Sequence, residues 1–269
     1  MADYLLGFDV GSSSIKASLL EVASGRSVAS ATSPETELDM VAKQPGWAEQ
    51  DPELWWEHMK RAVAMLREKH AAAVDAVGAI GISYQMHGLV VIDANGTVLR
   101  PSIIWCDSRA IPYGEKAFSD LGESETLSRL LNSPGNFTAA KLAWVKNEEP
   151  QLYQSVWKMM LPGDYLAYRM TGELCTTASG LSEGILWDSQ NETPADFLLD
   201  YYGFDHSVLP EYRESFGDHG RVSAGAAKEL GVPEGTRVSY RAGDKPNNAL
   251  SLSVLEPGEL AATAGTSRV

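Results

Sequence analysis

Tyr4 to Val10 is a short apolar run of buried-strand type, halted by Gly11 and three serines. Ile15 to Val22 and Arg26 to Ala31 read as two further strands joined by a tight turn at Ser24-Gly25, so the pattern predicts an opening meander. Asp51-Pro52-Glu53 then supplies a capping carboxylate and a proline at the first helical position. The helix it opens runs to about His70, with Trp55, Met59, Ala62, Val63 and Leu66 on one face. Val77 to Tyr84 is the next strand. Leu89 to Asp93 is expected to pair with Thr97 to Arg100 across Ala94-Asn95-Gly96, a strong hairpin signal.

Helical spacing follows over 112–131 and 137–148, then an apolar run from Val156 to Leu161. Pro162-Gly163-Asp164 opens a helix that stops at Thr171-Gly172, and 173–188 reads as irregular sheet. Short helices are expected over 194–202 and 224–230. Arg237 to Ala242 is a strand ending in Gly243-Asp244, followed by a small-residue helix to about Leu255 and a last strand from Glu259 to Ala264. No Gly/Ser or Pro linker interrupts the chain, which predicts one α/β domain with additions.

Composition narrows the function classes. The 269 residues carry 22 Lys+Arg against 36 Asp+Glu, a net charge of −14, which argues against nucleic-acid binding. No stretch approaches the roughly 18 apolar residues of a membrane helix, and no signal sequence opens the chain, so a soluble cytoplasmic protein is expected. Cys106 and Cys175 are too few for a disulfide framework or a cysteine zinc site and read as small buried apolar residues.

Five segments carry candidate chemistry. In Phe8-Asp9-Val10-Gly11-Ser12-Ser13-Ser14 a carboxylate ends a strand, a glycine and three hydroxyls turn the chain, and Lys16 rides the returning strand. Such a turn can aim N–H groups and hydroxyls at a phosphate while Asp9 holds magnesium through water; an ordinary polar hairpin has the same sequence. Ala261-Ala262-Thr263-Ala264-Gly265-Thr266-Ser267 repeats the plan, with Arg268 as its cation but no returning strand, so the chain reads as a fragment. Asp244, between a strand end and a helix, is placed to take a proton from an attacking hydroxyl or simply to cap its helix. Gln85-Met86-His87-Gly88 offers polar partners for a polyol, and Asp107 with Arg109 in Trp105-Cys106-Asp107-Ser108-Arg109 reads either as a binding pair or as a surface ion pair.

Together these segments resemble the FGGY family of carbohydrate kinases. The resemblance rests on seven motifs in order: Gly7-Phe8-Asp9-Val10-Gly11-Ser12-Ser13-Ser14-Ile15-Lys16, Pro45-Gly46-Trp47-Ala48-Glu49-Gln50-Asp51-Pro52, Gln85-Met86-His87-Gly88, Trp105 to Arg109, Pro162-Gly163-Asp164-Tyr165-Leu166 with Met170-Thr171-Gly172-Glu173, Ala242-Gly243-Asp244, and Ala264-Gly265-Thr266-Ser267. It implies an actin-like, ribonuclease-H-like α/β domain with a mixed sheet flanked by helices. Residues 1–269 would form the family's N-terminal domain, with about 256–269 beginning a C-terminal domain that supplies the adenosine pocket.

By the same resemblance Asp244 is the catalytic base and Met86 and His87 contact the sugar, with Gln85, Asp107 and Arg109 expected beside them as substrate-binding residues. Gly11, Ser12, Ser13, Ser14, Lys16, Gly265, Thr266 and Ser267 hold phosphate, and Asp9 is the magnesium-linked carboxylate. The implied activity of the full-length protein is ATP- and Mg²⁺-dependent phosphorylation of a sugar, D-xylulose ahead of glycerol or ribulose, with this fragment inactive alone. A homodimer is compatible with the resemblance.

Two positions depart from the family pattern: Lys245, expected to lower the Asp244 pKa, and Arg268, a bulky side chain in a phosphate turn. The rival class is an actin-like sugar- or nucleotide-binding module without catalysis. Gly180-Leu181-Ser182-Glu183-Gly184 matches a serine-hydrolase elbow, with His206 and His219 downstream, but lacks the strand-to-helix context that elbow needs.

Overall fold

The computed structural model describes residues 3–262. Strands β1 (Tyr4–Val10), β2 (Ile15–Glu21) and β3 (Arg26–Ser33) form the expected antiparallel meander. Alternation sets its faces: Leu6, Phe8 and Val10 of β1 and Ile15, Ala17 and Leu19 of β2 are buried, with their neighbours more exposed. After the short β4 (Glu49–Gln50) comes α1 (Pro52–Asp75), capped by the Asp51 carboxylate accepting from the Glu53 N–H at 3.0 Å. It covers the meander with Trp55, Trp56, Met59, Ala62, Val63 and Leu66, all buried. Its φ/ψ leaves the helical region at His70, where the sequence pattern predicts the end, and a further turn continues to Asp75.

β5 (Val77–Tyr84) pairs in parallel with β1. The Asn95-Gly96 turn closes as expected, the Asp93 N–H donating to the Thr97 carbonyl. Its return arm, however, makes only the isolated bridge Ile92–Val98: β6 (Val90–Ile92) pairs instead with β8, and β7 (Ser102–Ile103) with β4. The helix expected over 112–131 is two helices, α2 (Ile111–Leu121) and α3 (Glu123–Leu130), because Gly122 takes a φ of +90° between them. Then follow α4 (Thr138–Glu148), α5 (Pro150–Tyr153), β8 (Lys158–Met160) and α6 (Pro162–Thr171).

The stretch read as irregular sheet holds a helix. β9 (Cys175–Thr177) passes into α7 (Ala178–Glu183), started by the Thr177 hydroxyl accepting from the Gly180 N–H at 3.0 Å. Next come β10 (Trp187–Asp188), β11 (Thr193–Pro194), α8 (Asp196–Tyr202), β12 (Glu211–Arg213) and α9 (Ala224–Leu230). β13 (Arg237–Gly243) then joins the main sheet beside β5, and α10 (Asp244–Ser251) leaves it. No strand forms over 259–262, because this tail carries no pairing partner among the described residues; the rest of that expected strand, and the phosphate turn Gly265, Thr266 and Ser267 with Arg268, lie outside the described residues.

The main sheet is therefore mixed, in the order β13-β5-β1-β2-β3, with parallel pairing on one side of β1 and antiparallel on the other. Its register places Val10, Tyr84 and Gly243 in one row. The residues that follow, Gly11, Gln85 and Asp244, consequently emerge together at the carboxyl edge of the sheet. One hydrophobic core joins the sheet to α1, α6 and α9; a second lies among α2, α4, α7 and α8. Cys175 is buried as expected, whereas Cys106 is exposed, since the segment from Trp105 turns outward after Ile104.

Candidate active site

At that carboxyl edge the two cores part around a cleft of about 620 Å³. Its floor comes from Gln85, Met86, His87 and Asp244, one end from the Gly11–Ser14 turn with Asp9 and Lys16, and the facing wall from Leu131, Phe137 and Ile185. Three separately predicted loops thus meet in one cavity of the size that small-molecule sites occupy.

The first loop is a tight turn, with the Gly11 N–H donating to the Ser14 carbonyl at 3.0 Å. A side chain on Gly11 would press the Ser14 carbonyl at 3.1 Å, so the turn favours glycine. Lys16 Nζ lies 3.6 Å from Asp9 Oδ2, both half exposed, leaving carboxylate and ammonium open to a ligand. Gln50 braces the turn: its Nε2 donates to the Ser12 carbonyl at 2.7 Å and its Oε1 accepts from Gln85 Nε2 at 3.2 Å. The Trp105 indole N–H donates to Ser12 Oγ at 3.1 Å, which brings Trp105 into the wall.

His87 adopts a φ of +63° and stacks edge-on against Phe137, ring centroids 4.5 Å apart. Its Nδ1 lies 2.9 Å from the Glu183 carbonyl. A carbonyl only accepts, so the proton sits on Nδ1 and Nε2 keeps a free lone pair for a hydroxyl. Burial, reinforced by the Lys141 ammonium, pulls the His87 pKa down to about 4, so the ring is neutral at pH 7. Lys141 is itself fully buried; it donates to the His87 carbonyl at 2.6 Å, and burial lowers its pKa to about 7.

Asp244 opens α10 but does not cap it, since Gly243 occupies the N-cap position. Burial raises its pKa above the ordinary carboxylate value, aided by Asp9 and opposed by Lys245. Lys245 was expected to leave Asp244 the weaker base; desolvation of the half-buried carboxyl outweighs it. Gly243 has no room for a side chain: a Cβ would stand 2.3 Å from Glu183 Oε2 and 2.4 Å from Met86 Cγ.

Asp107 and Arg109 are not brought to the cleft. Both are buried behind Trp105, where Arg109 Nη2 donates to Asp107 Oδ2 at 2.7 Å, Nη1 donates to Glu49 Oε1 at 2.7 Å, and the guanidinium lies 3.7 Å over the Trp47 ring. Asp107 Oδ2 also accepts from the Ala48 N–H at 2.6 Å. With these groups spent on one another, the pair fixes the wall instead of contacting a ligand, and it is a buried ion pair, not a surface one. The hydrolase elbow also fails: Ser182 lies in the last turn of α7, while His206 pairs with Asp200 and His219 with the Glu214 carbonyl.

Comparison with known proteins matches this arrangement to one family. The model of the N-terminal domain of the FGGY family of carbohydrate kinases fits residues 4–251. The chain belongs to that family. It is 33% identical to the xylulose kinase of Escherichia coli (strain K12) over 265 residues, 98% of this chain and 53% of the relative. The crystal structure of a xyloylose kinase from Brucella ovis superposes with a TM-score of 0.87 at 32% identity, covering 95% of this chain and 51% of that one. The xylulose kinase from Rhodospirillum rubrum gives 0.86 at 27%, covering 95% and 52%. This FGGY chain thus has the actin-like sugar-kinase fold and spans about half the length of the relatives it matches.

Within this FGGY domain, motif reading missed Glu183, Lys141 and Phe137. Glu183 sits in a helix with no apolar period, and a lysine among the alanines of α4 looks like any solvated lysine. The Pro45–Pro52 motif was visible, and its part is now physical: Glu49 anchors Arg109 and Gln50 ties the Gly11 turn to the Gln85 loop.

Proposed function

We propose that the intact protein carrying this chain transfers the terminal phosphoryl group of ATP to a hydroxyl of a ketose, with D-xylulose as the acceptor. The observation that carries this reading is Asp244, a half-buried carboxylate of raised pKa sharing one cleft with the Gln85–Met86–His87 loop and the Gly11–Ser14 turn. A base whose pKa is lifted toward the working pH takes a proton from an alcohol more effectively. The acceptor hydroxyl gives its proton to Asp244 as its oxygen bonds to the terminal phosphorus, and the bond from that phosphorus to the bridging oxygen breaks to release ADP.

The other cleft groups divide the remaining work. His87 Nε2 offers an acceptor to a sugar hydroxyl, and the apolar wall of Phe137, Leu131 and Ile185 excludes water from the reacting atoms. The Gly11 turn, its three serine hydroxyls and Lys16 suit the phosphates, and Gly265, Thr266 and Ser267 are proposed as the second phosphate turn. Asp9, half exposed at the same end, fits a carboxylate that holds magnesium through water; the ion would neutralise phosphate charge there. The choice of D-xylulose leans on the xylulose kinases among the relatives.

Asp244→Asn in the intact protein tests the assignment. It keeps shape and hydrogen bonding but removes the base, so turnover with D-xylulose and ATP should fall about 10²- to 10⁴-fold with the sugar KM little changed. Turnover near that of the wild type would return Asp244 to a purely structural part.

A further inference from the structure

Glu183 is the least explained group at the cleft. It ends α7, lies 7% exposed, and touches both halves of the acceptor site. On one side its main-chain carbonyl takes the His87 Nδ1 proton at 2.9 Å, and its Oε1 lies 3.4 Å from the His87 N–H. On the other its Oε2 packs against Gly243, so closely that a Cβ there would stand 2.3 Å away, and this oxygen is buried without any hydrogen-bond partner. A buried carboxyl oxygen left unpaired costs stability that a leucine there would not forfeit, so its presence calls for a functional account.

We propose that Glu183 is a positioning residue for phosphoryl transfer, a carboxyl wedged between the His87 loop and the Gly243–Asp244 strand end that sets their separation. This rests on the kinase reading above. The charge state matters because the wedge stands between a sugar-contacting ring and the catalytic base. A second negative charge there would repel Asp244 and the oxygen that becomes negative as its proton leaves.

The groups facing Glu183 from each packed element on balance oppose its ionisation. Burial raises its pKa well above the usual carboxylate range; Asp164 of α6 and Asp244 of α10 add to the rise, and the His87 N–H and Lys141 of α4 oppose it without reversing it. Tyr84 of β5 is un-ionised, its own pKa raised well above 10 by burial with Glu183 adding to the rise, and Arg241 of β13 is committed to Asp164 at 2.8 Å. Lys245 lies on the far side of Asp244 in sequence and acts on His87 and Asp244. Ionisation of Glu183 on raising the pH would put a charge into the wedge, and the separation it sets would then be lost.

The experiment compares Glu183→Gln and Glu183→Ala in the intact protein, with D-xylulose and ATP as substrates across pH 6 to 10. Glutamine, a neutral isostere, should retain kcat/KM for the sugar within about threefold at pH 7 and lack the alkaline fall that the wild type shows from this group. Alanine should lower kcat/KM for the sugar about 10- to 100-fold with the ATP KM within about twofold. Alanine within about twofold of wild type overturns the proposal, and so does glutamine as damaging as alanine or with an unchanged alkaline limb, which would leave Lys141 as the titrating group. Should the wild type bind D-xylulose by calorimetry without phosphorylating it, the kinase reading fails and the same variants are compared on binding affinity by the same criteria. Should it bind no sugar, both readings fall.

Discussion

A histidine offered to a sugar has to present a lone pair, and at His87 the protein fixes which nitrogen has one. The Glu183 carbonyl claims the Nδ1 proton and burial denies the ring a second. Two consequences follow at this residue. Replacing His87 with Ala should weaken sugar binding by about 1–3 kcal/mol through the unpaired hydroxyl while leaving affinity for a non-hydrolysable ATP analogue within about twofold, both read by calorimetry. Loss of nucleotide in place of sugar would reassign the loop. The second consequence is acid sensitivity. A ring titrating at about 6.5 when unfolded and at about 4 when folded binds more protons in the unfolded state between those values, so folding stability is lost as pH falls through that window. The full size is about 3 kcal/mol, and His87→Asn should remove this component from chemical unfolding curves at pH 7 and 4; an equal acid loss in both proteins would place the titrating group elsewhere.

Close approach between elements gives the cleft its shape. Gly243, Gly88 and Gly163 each sit where a methyl group would collide, with Glu183 and Met86, with Pro162, and with the Tyr84 ring respectively. Gly243 has an ordinary negative φ, so alanine there brings no backbone strain and only pushes Met86 and Glu183 apart. Gly243→Ala should therefore cost about 1–3 kcal/mol of stability by overpacking and raise the sugar KM by about tenfold or more, with the ATP KM nearly unchanged; a normal sugar KM would mean the floor yields freely. These contacts also show what the sequence could tell. Periodicity read the meander, α1, β5, α6 and β13 well, because each buries one apolar face, and it brought Asp9, Gln85, Met86, His87 and Asp244 to strand ends where they belong. It missed α7, whose Ala-Ser-Gly-Leu-Ser-Glu run has no apolar stripe, and with it Glu183. Asp107 and Arg109, expected at the ligand, mark a different limit, since in sequence a carboxylate and a guanidinium two apart look the same whether they face a sugar or face Glu49 and Trp47.

Across the whole molecule the cleft lies between the sheet core and the helical core, so a ligand held by Asp244 and His87 on one side and Phe137 on the other ties them together. D-xylulose alone at about 100 times its Kd should stabilise the folded state by about 2.7 kcal/mol, seen as a rise of several degrees in Tm without nucleotide. Asp244→Asn should keep that rise, and a Tm indifferent to every sugar tried would remove the acceptor from this cleft. The strand order carries one more implication, in the time domain of synthesis. β5 pairs with β1 early in the chain, but its other edge waits for β13, about 150 residues later. At about 5–20 residues per second that edge, with Ile80 and Ile82 along it, stays unpaired on the order of ten seconds while the ribosome works. Within these 269 residues the growing chain is thus most prone to aggregate while the strand that delivers Asp244 is still unmade, and the acceptor site closes only after that strand arrives.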